Sequence, residues 1–264
     1  MRPLIVAIGF ALVAARTVPD ARDETQADEL AWPLPAMKAA ALGRPFAAAN
    51  VAWLKTIQLI GSADYERRGF PTLDGWLEVI TSLDPSFEDP YFLGATLLVT
   101  DSSRTLAVER LLARGEAAAP DVFSFALMRG FVAQFGALDP QAAAAHYRRA
   151  AAMKNAPSYL TAHAERLERE RVGCANVFDD LSRVSVSPAA QAASLERSGA
   201  IFEHCVAGMI RRAAVQYRMQ TGRPATVAAL VKEGTIEDPP RPPGRCWTIE
   251  HDRPRLIDCL DEPP

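Results

Sequence analysis

The sequence predicts an all-α protein, a solenoid of stacked helical hairpins, with a small helix and β-hairpin appended at the C-terminus. The segment 57–85 holds two short apolar stripes at helical spacing and then a proline, which is typical of one antiparallel helix pair. Glycines follow at intervals of 33 and 36 residues, and prolines at intervals of 35, 37 and 31 residues. These are Gly61, Gly94 and Gly130, and Pro85, Pro120, Pro157 and Pro188. A spacing of about 34 residues indicates stacked helical repeats.

Composition and charge narrow the classes of partner. The chain has 264 residues, of which 49% are hydrophobic, so it can bury a substantial core. Its formal net charge is -3 and its isoelectric point is near 5.9, whereas phosphate binding needs a basic face. We therefore expect protein partners and no nucleic acid.

The N-terminus has the three-part pattern of a secretory signal. Arg2 precedes an apolar run, Leu4–Ala15, with small residues at Val13 and Ala15 before Arg16. This run is shorter than the roughly 20 residues of a comfortable bilayer span. We expect cleavage after Ala15; an uncleaved membrane anchor and a start-site artefact are the alternatives. The predicted location is the periplasm or cell envelope, with membrane contact only through this segment if it is retained.

The next segments lead into the repeats. Residues 16–35 are acidic and punctuated by proline, which is typical of a linker. From Ala36 to Gly61 the apolar pattern predicts two helices, broken at Gly43-Arg44-Pro45. The second of these helices opens the first repeat.

Within residues 36–188, the repeats resemble the tetratricopeptide pattern W-x2-L-G-x2-Y…A-x3-F…P. The first repeat reads Ile60-Gly61, then Leu73-x3-Leu77-x2-Ile80-x4-Pro85. The later repeats give Leu93-Gly94 with Ala107-x3-Leu111, Gly130 with Ala143-x3-Tyr147-x2-Ala150, and Ala164 with Val177-x3-Leu181-x2-Val184. The resemblance implies a right-handed helical-hairpin solenoid. Two segments, LPAMKAAALGRPFAAANVAWLKTIQLIG (34–61) and LDPSFEDPYFLGATLL (83–98), also look similar to exported bacterial tetratricopeptide proteins of poorly defined role, which implies a cell-envelope setting.

The resemblance also implies a binding groove. In that family the first helix of each repeat lines the concave surface, where a partner peptide or helix binds. The residues expected to line this groove are Lys55, Gln58, Tyr65, Glu88, Tyr91, Leu98, Leu127, Phe131 and Gln134. The alternative is that Tyr91 and Phe131 are core residues, because aromatic residues at helical spacing usually serve packing.

The C-terminal third is expected to close the array. Residues 189–222 predict a capping helix, since an open stack leaves an apolar end exposed. Residues 223–264 predict a short helix that ends at Gly234, a proline-rich segment and a β-hairpin.

The four cysteines predict two disulfides in an oxidising compartment. If Glu250 faces Arg255 across a four-residue turn, Cys246 faces Cys259, and directly opposed cysteines can bond. Cys174 and Cys205 then form the other pair. Four buried free thiols in a cytosolic protein are the alternative.

The sequence offers no pattern typical of catalysis. The four histidines lie in different predicted elements without metal-ligand spacing, and His204-Cys205 has no second ligand or base nearby in sequence. We therefore expect no metal, no cofactor and no enzymatic activity. The leading hypothesis is a protein–protein adaptor of the bacterial envelope. The alternatives are a small-ligand module or enzyme that uses the C-terminal region, and a purely structural spacer.

Overall fold

The computed structural model describes residues 30–169, 174, 180, 192–193, 195–250 and 253–261. In these ranges the chain is mostly helical and ends in a two-stranded antiparallel sheet. It separates into two compact units, residues 1–83 and 84–264. The predicted signal segment, most of the linker and the second helix of the fourth repeat, apart from Asp180, lie outside the described residues.

The first unit contains α1 (Leu34–Ala40), α2 (Pro45–Ile60), α3 (Ala63–Arg67) and α4 (Leu73–Leu83). The break between α1 and α2 falls at the expected Gly-Arg-Pro, and Pro45 begins α2, where its missing N–H costs nothing. α2 and α4, the two helices expected to pair in the first repeat, pack against each other. Small residues on α2, Ala49 and Ala52, are fully buried, so the two helices approach closely.

The second unit begins with five helices in succession. They are α5 (Glu88–Leu98), α6 (Thr105–Ala118), α7 (Phe123–Phe135), α8 (Pro140–Ala151) and α9 (Leu160–Arg169). Each helix packs against the next, and the α7–α8 contact is the most extensive. Asp139 caps α8, because its side chain accepts a hydrogen bond from the Ala142 amide.

Two glycines allow the helices of the second unit to approach closely. A Cβ at Gly115 of α6 would lie 2.1 Å from the Phe125 ring, and one at Gly130 of α7 would lie 2.7 Å from the Tyr147 ring. Because both rings are fully buried, they have little room to move. The spacing between α6 and α7, and between α7 and α8, therefore requires glycine.

α10 (Ser198–Thr221) contacts α7. A disulfide joins Cys174 to Cys205 on this helix, as predicted. Arg212 donates a hydrogen bond from Nη1 to the Leu138 carbonyl at 2.7 Å, which holds α10 to the turn between α7 and α8.

The appendage contains α11 (Val227–Lys232), β1 (Arg245–Glu250) and β2 (Arg253–Asp258), followed by a 3-10 turn at Cys259–Asp261. The hairpin and the Cys246–Cys259 disulfide were both predicted, but the predicted register is wrong. Glu250 pairs with Arg253, so Cys246 lies opposite Ile257, two positions from the expected register. The disulfide is therefore diagonal, with Cα atoms 4.9 Å apart, and Cys259 N–H donates to the Gly244 carbonyl just beyond the strands.

None of the helices in the described ranges is both long enough and apolar enough to cross a bilayer. The two disulfides favour an oxidising, exported environment.

Candidate functional site

Most residues of the expected groove are buried. Tyr65, Tyr91, Leu98, Leu127, Phe131 and Gln134 are all at most 5% exposed, so the prediction that they line an open groove is wrong. Leu127, Phe131 and Gln134 are buried because α7 contacts α5, α6, α8 and α10 and is left with almost no free side. The buried side chains serve packing: the Tyr91 and Phe125 ring centroids, for example, are 5.2 Å apart.

The other three predicted groove residues keep some access to solvent. Gln58 is exposed on α2, Lys55 is half-buried on the same helix, and Glu88 is half-buried at the start of α5. Burial raises the pKa of Glu88, and neighbouring Asp89 raises it further. Their part in binding a partner stays a prediction.

Gln134 lies in a buried polar network that was not foreseen. Its Oε1 accepts a hydrogen bond from the Tyr147 hydroxyl at 3.0 Å and lies 3.2 Å from His163 Nε2. Its Nε2 donates to Asp180 Oδ2 at 2.9 Å, and Arg166 donates to the other oxygen of Asp180. These residues join α7, α8 and α9 to Asp180.

The side chains of this network hydrogen-bond to one another. Arg166 Nη2 lies 2.9 Å from His163 Nδ1, so the tautomer with its proton on Nε2 can donate to Gln134 and accept from Arg166. Burial raises the pKa of Tyr147 well above its ordinary value, and the Asp180 carboxylate adds to the rise, so the phenol stays a neutral donor. Because each of these groups is already engaged by another, the network is suited to holding helices together.

A second charged cluster surrounds Glu116 of α6. Arg129 Nη1 lies 2.7 Å from Glu116 Oε2, and Arg149 Nη2 lies 3.1 Å from Oε1 without the alignment of a hydrogen bond. Arg129 also reaches Glu109, with Nε 3.4 Å from Oε2. These ion pairs link α6, α7 and α8, and they leave Glu116 nearly buried.

His204 and Cys205 do not form a metal or nucleophilic site. The Cys205 sulfur is bonded to Cys174, so it cannot act as a thiolate. His204 Nε2 is buried without a hydrogen-bond partner in the described part of the chain, and burial lowers the pKa of this imidazole. Within the described residues, no group of three His, Cys, Asp or Glu side chains is placed to hold a metal ion.

The first unit exposes an apolar surface, which we call the α2 face and define by Leu42, Phe46, Val51, Leu54 and Ile57. Leu42 is 89% exposed, Phe46 59% and Leu54 64%. With 3.6 residues per turn, the exposed residues of α2 span an arc of about 140°, and apolar side chains predominate in it. Beside this arc lies an open hollow of about 610 Å³, whose lining includes Trp32, Met37, Leu42, Arg44 and Val51.

The second unit also exposes apolar side chains. Val215 and Met219 lie one turn apart on α10, and Met219 is 83% exposed. We call this pair the α10 face. Leu260, directly after the Cys259 disulfide, is exposed as well. Neither the α2 face nor the α10 face was predicted. The sequence of α2 did contain a signal for the first of them, because a helix with one charged residue in sixteen must carry apolar residues on more than one side.

The comparisons add no relative. No protein-family model, no curated protein and no solved structure matches this chain.

Proposed function

We propose that this protein is an exported, non-enzymatic adaptor of the bacterial envelope, with helical hairpins arranged as a tetratricopeptide-like array, and that it binds a protein partner. The two disulfides support an oxidising location. The consecutive packing of α5 to α9 supports a series of hairpins. The contact of Gly130 with Tyr147 supports the repeat resemblance, since both residues stand at positions of the quoted pattern.

The observation that carries the proposed binding is the α10 face. Methionine is flexible and polarisable, and it is frequent on surfaces that bind protein partners. Met219 is almost fully exposed and lies one turn from exposed Val215, so the pair offers a small apolar anchor point. Exposed Arg211 and Gln216 flank this pair on the same helix, as the polar rim of an interface does.

Site-specific photo-crosslinking tests this proposal. A photoreactive amino acid is placed at Met219 in the exported chain, and at Lys232 on α11 as an exposed polar control. We expect a discrete crosslinked protein from Met219 only. A matched pair of variants then shows whether the α10 face makes the contact: Val215→Glu should abolish the product, and Leu106→Glu on α6 should leave it intact.

Equal products from Met219 and Lys232, or a product that survives Val215→Glu, would exclude the α10 face as the binding surface. Leu106 is a fair control because it is also an exposed aliphatic residue on a helix of the same unit. The far-ultraviolet circular dichroism of both variants should match that of the wild type, since neither side chain is buried.

A further inference from the structure

The α2 face combines a strained backbone turn with apolar side chains that are exposed to solvent. Leu42, at the tip of the turn between α1 and α2, has φ of +48°, in the left-handed region that Gly and Asn adopt more readily. This leucine is nevertheless exposed almost completely, so the turn carries both backbone strain and an apolar side chain in water. Exposed apolar surface of this kind marks a site of interaction.

The charged residues of α1, α2 and the turn between them are all of one sign. Residues 30–63 contain Lys38, Arg44 and Lys55 and no Asp or Glu, although the whole chain carries a net charge of -3. Arg44 lines the hollow, and Lys38 is exposed on α1. Cationic side chains beside an apolar arc are complementary to a surface that is anionic outside and apolar beneath; the nearest carboxylates in the sequence, Glu29 and Asp64, lie just outside this segment.

The position of the α2 face in the chain points the same way. The apolar run Leu4–Ala15 is separated from Leu30 by 14 residues, which extend over at most about 50 Å. If that run stays in a membrane, this length keeps the α2 face within reach of the bilayer. If the run is removed, the α2 face itself still supplies apolar and cationic groups.

We propose that the α2 face docks on the surface of an anionic lipid bilayer, with Leu42, Phe46 and Leu54 at the boundary between headgroups and acyl chains. Lys38 and Arg44 contact the anionic headgroups, and Trp32 beside the hollow lies at the depth that tryptophan favours in bilayers. An anionic bilayer attracts every charged group of residues 30–63, and it also takes up exposed apolar side chains beneath its headgroups. This docking is separate from the protein contact proposed for the α10 face.

Vesicle flotation with the full chain tests this inference. The probe is a phosphatidylcholine vesicle that contains about one-third phosphatidylglycerol, compared with a vesicle of phosphatidylcholine alone. We expect the wild type to float with the anionic vesicles, and a Phe46→Glu, Leu54→Glu double variant to lose about tenfold or more of its apparent affinity. The single variants Leu54→Glu and Leu106→Glu form a matched pair, because the two leucines are 64% and 62% exposed on helices, and only the first should weaken binding.

Two further arms separate the contributions. In the background Ile5→Asp, Ile8→Asp, which makes the N-terminal run polar, binding should still depend on Phe46 and Leu54. Lys38→Glu with Arg44→Glu should weaken binding to anionic vesicles selectively, and added salt should weaken the wild type in the same way. The variants of Lys38 and Arg44 keep the test decisive even if the variants of Phe46 and Leu54 fold poorly.

Three outcomes would overturn the inference. The first is unchanged flotation of the Phe46→Glu, Leu54→Glu variant. The second is complete loss of binding in the Ile5→Asp, Ile8→Asp background, which would assign all membrane contact to the N-terminal run. The third is a wild-type dimer in solution that Leu54→Glu dissociates without any effect on flotation, which would make the α2 face a contact between two copies of this chain.

Discussion

Gln134 is the residue on which the buried polar network between α7, α8 and α9 depends. Its amide joins two hydrogen bonds received at Oε1 to one donated from Nε2, and both ends of the amide are needed. Asp180 is 1% exposed, and Gln134 and Arg166 both donate to its carboxylate, as a buried carboxylate requires. The amide therefore stabilises the junction of α7, α8 and α9 more than a single surface hydrogen bond could.

Replacing Gln134 with leucine should destabilise the protein severely. The change keeps the side-chain size but leaves Asp180, Tyr147 and His163 each short of a partner. An unsatisfied buried group costs about 1–3 kcal/mol, so the expected loss in the free energy of unfolding is about 3 kcal/mol or more. Tyr147→Phe is the control, because it removes one donor while Gln134 Oε1 can still accept from His163, and it should cost only about 1 kcal/mol.

Urea unfolding followed by circular dichroism measures both values. Equal losses in the two variants would mean that the Gln134 amide does not organise the network. A loss below about 1 kcal/mol for Gln134→Leu would contradict the idea that Asp180 needs this donor.

Single residues also show where sequence reasoning fails. Tyr91 was expected in a groove because its position in the repeat pattern implies one, yet α5 is buried at every position from Pro90 to Leu98. The continuous apolar run there is typical of a helix enclosed on all sides, and this signal pointed to the core. Gln134 and His163 could not be assigned to one network from the sequence, because the two residues are 29 positions apart on different helices and meet only through packing.

At the scale of elements, the C-terminal hairpin shows how a correct disulfide can follow from an incorrect register. The expected four-residue turn would have placed Pro254 in the turn, whereas the structure places it within β2, opposite Ile249. A proline is tolerated in this position because each strand of a two-stranded sheet has one unpaired edge, where no N–H is needed. The sequence therefore predicted the hairpin and its disulfide correctly, whereas the register was wrong because Pro254 was assigned to the turn.

Removing the hairpin disulfide should loosen the hairpin and little else. Cys246 and Cys259 are 13 residues apart, and a crosslink over a loop of this length contributes about 3 kcal/mol. Trp247 remains as an anchor, because it is buried and donates from Nε1 to the Pro240 carbonyl at 3.0 Å. For Cys246→Ser with Cys259→Ser, we expect faster amide hydrogen exchange in β1 and β2, since two strands alone are marginal in water.

The control for this experiment is Cys174→Ser with Cys205→Ser, which should raise exchange in α10 and leave the hairpin protected. β2 also packs against α10, so unchanged protection of β1 and β2 in the hairpin variant would show that Trp247 and this contact suffice. Faster exchange throughout α5 to α9 in the hairpin variant would show instead that the Cys246–Cys259 disulfide stabilises the whole second unit.

For the molecule as a whole, the mostly helical content and the small C-terminal sheet were the most predictable features. Proline and glycine act locally, through a missing N–H, a fixed backbone angle or an absent Cβ, so their spacing along the chain indicates where helices end and where they approach. Gly130 against Tyr147 is one such approach. The curvature of a repeat array depends instead on small rotations between neighbouring hairpins, which no single residue specifies. The exposure of the α2 face likewise depends on which other segments leave it uncovered, and the sequence does not specify this.

The division into two compact units leads to a prediction for the entire chain: residues 84–264 should fold without residues 1–83. The two disulfides, the Gln134 network and the Glu116 ion pairs all lie within this segment, so its core should close on itself. Separate production under oxidising conditions should give one cooperative thermal transition, and α7 should have the same amide protection as in the full chain.

A segment that begins at residue 100 is the matched control, because it lacks α5 and with it the Tyr91 and Phe92 rings, each centred 5.2 Å from the Phe125 ring. Truncating an aromatic side chain in a core costs about 3–5 kcal/mol, and the loss of both rings should leave this shorter segment without a cooperative transition. Cooperative folding of both segments would show that α5 is dispensable, and failure of both would show that the second unit needs residues 1–83.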